Sequence, residues 1–123
     1  MKKLQDTLYR FPGKVIRVVD GDTFVVEFNL FPTEHYQYPK FLVQHKVRLL
    51  GVDTDELKSK DALLKAHAYE AKDFTTKQLL DHDVIIQATG EDAFGRLLAK
   101  VYLNEVEFNS VLLEKGLAKI YKR

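Results

Sequence analysis

Between Asp61 and Leu80 the spacing of small and apolar residues changes, and no other feature of the chain restricts its fold as much. Leu64, Ala68, Ala71, Thr75 and Leu79 recur at intervals of four, three, four and four, which places them on one face of an α-helix. The apolar runs before it are short and β-branched. Val15, Ile16, Val18 and Val19 predict a strand, Asp20-Gly21 a hairpin, and Thr23–Phe28 the returning strand. Val43–Leu50 predicts a third strand, with Val43, His45, Val47 and Leu49 on one face. Beyond the helix, Val84-Ile85-Ile86 opens a fourth strand, Gly90–Gly95 makes a turn, and Leu97–Leu103 forms a fifth. Phe108, Val111 and Leu112 mark a second helix, ended by Gly116 at the position of a C-terminal cap.

Three strands, a helix, two strands and a helix follow the order of an OB-fold, a five-stranded barrel interrupted after its third strand. The expected class is therefore α+β, mainly β, with one helix after strand 3 and one at the C-terminal end. Residues 1–12 read as a loose lead-in ending at the Pro12-Gly13 turn signal. Residues 30–41 carry Pro32, Pro39 and four aromatic side chains, and read as an extended hairpin loop because proline is excluded from central strands.

A length of 123 residues is that of one domain, taken as 1–123, and suffices for one apolar core. The chain has no cysteine, which excludes disulfides and thiolate metal sites. Its net charge of +1 is a weak argument for a nucleic-acid partner. Lysines and arginines gather toward both ends, and Asp81, Asp83, Glu91 and Asp92 lie between them, a distribution that ordinary solvated surface explains. No apolar run approaches the roughly 20 residues that span a bilayer, so no membrane partner is expected. The N-terminus has no signal-peptide core, and the chain reads as intracellular or as the mature part of a longer precursor.

Two segments concentrate oxygen donors, Asp20-Gly21-Asp22-Thr23 and Asp53-Thr54-Asp55-Glu56. Carboxylates and carbonyls suit Ca²⁺, Mg²⁺ or Mn²⁺ rather than zinc. Each also has a plain structural reading, the first as a hairpin turn and the second as a helix cap. Arg48 precedes Asp53 by five residues, and Arg96 follows Gly95 at the start of the fifth strand. Phosphoryl transfer needs cations around the equatorial oxygens and a group that holds or deprotonates water, for which Glu56 is a candidate. Either arginine alone is better read as half of a surface ion pair.

Taken together, Val18-Val19-Asp20-Gly21-Asp22-Thr23, Arg48 through Glu56, Asp92-Ala93-Phe94-Gly95-Arg96 and Gly116-Leu117-Ala118-Lys119-Ile120 resemble the successive signatures of the staphylococcal nuclease family, in that family's order. Tyr69-Glu70-Ala71 and Phe74 on the helix match as well, so the resemblance runs from about Lys14 to Tyr121. It implies an OB-fold nuclease that uses one Ca²⁺, cuts DNA and RNA, and leaves 3′-phosphates. Asp22 and Asp53 would ligate the metal by carboxylates and Thr54 by its carbonyl, with Asp20 acting beside it through water. Glu56 would be the general base or water-positioning group. Arg48 and Arg96 would clamp the scissile phosphate. Phe94 and Tyr121 would lie at the substrate pocket, and the protein would act as a monomer on single strands.

The chain also departs from the family pattern. Asp55 stands where the family usually has proline, Phe94 replaces a tyrosine, and Ala93 a lysine. Segment 30–41 is longer than usual, and its aromatics either stack on bases or, more plainly, fold back on the barrel. His35, His45, His67 and His82 match no site position, and no catalytic role is assigned to them. The alternatives are a non-catalytic OB-fold that binds single strands and a protein-interaction domain derived from the nuclease fold. Neither needs Asp22, Arg48, Asp53, Glu56 and Arg96 together.

Overall fold

The structure, a computed structural model, describes residues 9–30 and 41–121. Its elements are β1 (Tyr9–Asp20), β2 (Thr23–Asn29), β3 (Leu42–Leu49), β4 (Val52–Asp53), α1 (Ala62–Leu79), β5 (Asp83–Glu91), β6 (Leu97–Leu103), β7 (Val106–Glu107), α2 (Phe108–Glu114) and β8 (Lys119–Ile120).

β1 pairs antiparallel with β2 over Lys14–Asp20 and with β5 over Tyr9–Lys14. β2 pairs with β3, β5 with β6, and a parallel contact between β3 and β6 closes the ring. The five strands thus form a closed OB-type barrel, which leaves no open sheet edge between β3 and β6. A strand shared by two neighbours must bend, and β1 does so at register shifts between Val15 and Arg17 and between Val18 and Asp20. β4 and β8 form a separate two-residue ladder, Val52 against Ile120 and Asp53 against Lys119.

Inward-facing residues of all five strands meet at Val15, Phe24, Val26, Val47, Leu49, Ile86 and Val101, each at most 1% exposed. α1 covers one end of this core with Ala68, Ala71, Thr75 and Leu79, and α2 adds Phe108 and Leu112. Phe74 and Phe108 stack at 5.9 Å between ring centroids and join the two helices. His45 lies half-buried on the core side of β3, where alternation places it.

Several details differ from the sequence reading, among them Gly90 and Glu91, read as a turn but part of β5. Tyr9–Pro12 belongs to β1 rather than to a loose lead-in; β2 does not extend this far, so the proline lies where β1 has β5 as its paired neighbour and little is lost by its missing N–H. Gly13 is not a turn residue but continues the same strand. Leu64 is exposed although it shares the helical face of Ala68, because all of residues 62–66, the opening of α1, are exposed. Most of the loop expected over 30–41 lies outside the described residues. Its two ends are joined by Leu30 N–H donating to the Phe41 carbonyl at 2.7 Å.

Candidate active site

A cleft of about 570 Å³ opens at one end of the barrel, where the β1–β2 turn, the end of β3 and the segment after β4 converge. Asp20, Asp22, Arg48, Asp53, Thr54, Asp55, Glu56, Lys58 and Arg96 line it. Residues far apart in the chain are thus gathered by barrel closure.

The β1–β2 connection is a two-residue turn, Gly21-Asp22, between the paired residues Asp20 and Thr23. Gly21 is required by proximity. A Cβ there would lie 2.7 Å from the Ala71 Cβ of α1, and the Gly21 carbonyl accepts a 2.6 Å hydrogen bond from Thr75. The helix therefore presses directly on the turn that presents Asp20 and Asp22.

Arg48 is 6% exposed and bonded through both of its terminal nitrogens. Its Nη1 lies 3.2 Å from Asp22 Oδ2 and donates to the carbonyls of Leu49 (3.1 Å) and Val52 (2.7 Å), while Nη2 donates to Asp53 Oδ1 at 3.0 Å. The planar guanidinium thus fixes Asp22 and Asp53 relative to one another. Asp22 also accepts from the Thr54 backbone N–H at 3.0 Å and the Thr23 hydroxyl at 2.9 Å. The ring of Tyr121 lies 5.8 Å from Arg48 Cζ, at the rim.

Arg96 is oriented by Asp92. Asp92 Oδ2 accepts from Arg96 Nε at 2.6 Å, and Oδ1 accepts from the N–H groups of Phe94 and Arg96. Burial pushes the Asp92 carboxyl up, but these bonds and the Arg96 charge outweigh it and hold its pKa below the usual carboxylate value. Phe94 projects from the β5–β6 turn, 82% exposed, with Arg96 Cζ 5.3 Å from its ring.

Asp20 is pushed the other way. Burial raises its pKa first, the negative charges of Asp22 and Glu56 add to this, and Lys72 and Arg48 oppose it. Burial, and after it the neighbouring acids, disfavour the charged form of Asp20, and a bound cation would favour it. Among the described residues no three His, Cys, Asp or Glu side chains converge to hold a metal by themselves. A set of two carboxylates, Asp22 and Asp53, with the Thr54 carbonyl does not require such a trio. These oxygen donors fit a hard, irregularly coordinated cation such as Ca²⁺.

Each residue that sequence reasoning placed at the metal or in catalysis lines this one cleft. Tyr121 meets it through Arg48, and Phe94 through Arg96. Sequence reasoning did not single out Lys58 on the cleft wall, Lys72 beside Asp20, or His67. Lys72 was open to inference, since it adjoins Ala71 on the helix. His67 was not. Its Nδ1 lies 2.6 Å from Asp55 Oδ2 and its Nε2 3.0 Å from the Gly116 carbonyl. The Asp55 hydrogen bond is the main cause of a His67 pKa above its ordinary value, and a doubly protonated ring satisfies both partners.

Fold and cleft together define a closed OB-type barrel with an acidic, arginine-flanked cleft at its mouth. The staphylococcal nuclease homologue family matches residues 46–123, and the chain belongs to that family. It is similar to a thermonuclease of Staphylococcus hyicus, at 35% identity over 86% of this chain and 57% of that one, and to a thermonuclease of Staphylococcus intermedius, at 34% identity over 85% and 56%. An uncharacterized protein of Methanocaldococcus jannaschii is 35% identical over 94% of this chain and 62% of its own. The chain thus spans about three fifths of the length of these relatives.

Proposed function

We propose that the chain is a metal-dependent nuclease that hydrolyses phosphodiester bonds in DNA and RNA, with Ca²⁺ as its cation, single strands as preferred substrate and 3′-phosphates as products. The observation that carries this reading is the composition of the cleft. Five acidic residues line it beside Arg48 and Arg96. A surface built only to hold a phosphate backbone gains nothing from so many carboxylates, which repel it. Acids and arginines together are useful where a cation lies between carboxylate and phosphate.

Asp22, Asp53 and the Thr54 carbonyl would hold that cation, with Asp20 beside it. When bound, it would supply Lewis-acid stabilisation of charge on the phosphate oxygens. The side chains account for the rest. Arg48 and Arg96 present guanidinium donors to the negative charge that builds on the equatorial oxygens, and each is already oriented by an aspartate, which lowers the reorganisation required at the moment of reaction. Glu56, exposed at the cleft edge, orients a water and takes its proton. Phe94 and Tyr121 offer aromatic faces to bases on either side of the arginines.

The test is cleavage of single-stranded DNA and RNA with Ca²⁺, with and without EDTA, followed by end-group analysis. The reading expects cation-dependent cutting and 3′-phosphate ends, and undiminished cutting in EDTA would refute it. The thermonucleases named above are similar in sequence and support the same reaction class.

A further inference from the structure

The cleft's most demanding segment has no regular structure of its own. Residues 54–56 lie between β4 and a turn, yet Thr54 and Glu56 must be placed to within a fraction of an ångström for the proposed chemistry. Thr54 N–H donates to Asp22 Oδ2 at 3.0 Å, and Ser59 N–H donates to the Glu56 carbonyl at 3.1 Å. Between these, the side-chain anchor is Asp55, held at 2.6 Å by His67.

His67 is a firm post. It precedes Ala68, which is 1% exposed, on the helix that packs against Gly21. Its second ring nitrogen reaches the carbonyl of Gly116, which has φ +70° and turns the chain from α2 toward β8. β8 then pairs back onto β4, Lys119 against Asp53. The connections close on themselves: Asp53 to Lys119 through the ladder, back along the chain to Gly116, across His67 to Asp55, and along the chain to Asp53.

We propose that His67 is a positioning residue, which clamps the segment carrying Thr54 and Glu56 by bridging Asp55 to the turn at Gly116. It also commits one Asp55 oxygen to a defined partner, so that this additional carboxylate does not wander into the cation's place. The clamp itself stands on the hydrogen bonds. Its consequence for cation binding rests on the function proposed above.

Two measurements test it. In cation-free protein, amide hydrogen exchange at Thr54 and Ser59 becomes faster in His67→Ala and in Asp55→Ala, while Ala71–Leu79 of α1 and the barrel strands keep their protection. In calorimetric titration with Ca²⁺ alone, His67→Ala binds about 10–100-fold more weakly, as is typical when an outer partner of a metal site is lost. The sign discriminates, because freeing the Asp55 carboxylate from its partner would by charge alone favour Ca²⁺. In the doubly substituted protein, exchange at Thr54 and Ser59 is no faster than in His67→Ala. Unchanged exchange in His67→Ala, or Ca²⁺ binding as tight as in the parent protein, overturns the proposal. A parent protein that neither binds Ca²⁺ nor cuts nucleic acid refutes the nuclease reading, and exchange then decides the clamp on its own.

Discussion

Replacing Arg48 by methionine removes the charge and the planar fork while leaving an unbranched side chain in the same space. In the native protein the guanidinium serves a buried aspartate at 3.2 Å, a partly exposed one at 3.0 Å, and two backbone carbonyls. The exposed half of that arrangement contributes little. The buried half matters, since removing one partner of a buried pair costs about 3–5 kcal/mol. Spread over a domain of this size, that lowers the melting temperature by roughly 10–20 °C. Ca²⁺ should restore part of the loss. At a hundred times its dissociation constant a ligand stabilises by about 2.7 kcal/mol, and Arg48→Met should gain more than the parent because no guanidinium competes for Asp22 and Asp53. The assay is urea unfolding followed by circular dichroism, in EDTA and in Ca²⁺. A variant within about 1 kcal/mol of the parent in EDTA, or one that Ca²⁺ stabilises no more than the parent, would refute the reasoning.

Glu56→Gln should lower the cleavage rate by about 10²–10⁴ at nearly unchanged Ca²⁺ affinity, whereas Asp55→Asn should slow it far less because asparagine still hydrogen-bonds His67; single-turnover rates across pH compare the two, and a larger loss at Asp55 would move the base there. Arg96→Ala should cost ~10²–10³ in rate and also lower stability, since it leaves the buried Asp92 carboxylate without its cation, and near-normal turnover would remove Arg96 from catalysis. Asp92 has a depressed folded pKa, so its contribution to stability is present above its unfolded value of 3.8 and is lost as pH falls through the folded value; acid unfolding of Asp92→Asn should lack that limb, and identical acid curves would contradict the assignment. Gly21→Ala should destabilise by about 1–3 kcal/mol, since its methyl would meet Ala71 at 2.7 Å, and a neutral effect in thermal unfolding would show that α1 yields there.

The order of elements was legible because the strands are β-branched runs broken by turn residues and a helical period runs from Ala68 to Leu79, while the barrel itself followed from the family resemblance. The site was legible as a set of residue types in family order. What pairing contributes was not. β4 and β8 are two residues each, too short for any periodicity, yet they bring Asp53 under Lys119. Gly21 is the hairpin glycine it was read as, and it is also the contact point of a helix. Arg48 was expected to clamp phosphate, and it also bonds Asp22 and Asp53, the carboxylates proposed to hold the cation. His67 carried no signal, because its partners lie 12 and 49 residues away and one of them is a backbone carbonyl.

The parallel seam between β3 and β6 sets when the site comes into being. Arg48 lies opposite Leu98 in that seam, and Leu50 N–H donates to the Ala99 carbonyl at 2.8 Å. Asn109 of α2 rivets it, donating to the carbonyls of Leu50 and Ala99 and accepting from Val101 N–H. Contacts so distant along the chain form only after their loop-closure entropy has been overcome. During synthesis Asp22, Arg48 and Asp53 can already meet through the β2–β3 pairing, but the barrel behind them stays open until β6 closes the seam. The complete cleft, with Arg96 on its wall, therefore requires β6 and the asparagine behind it.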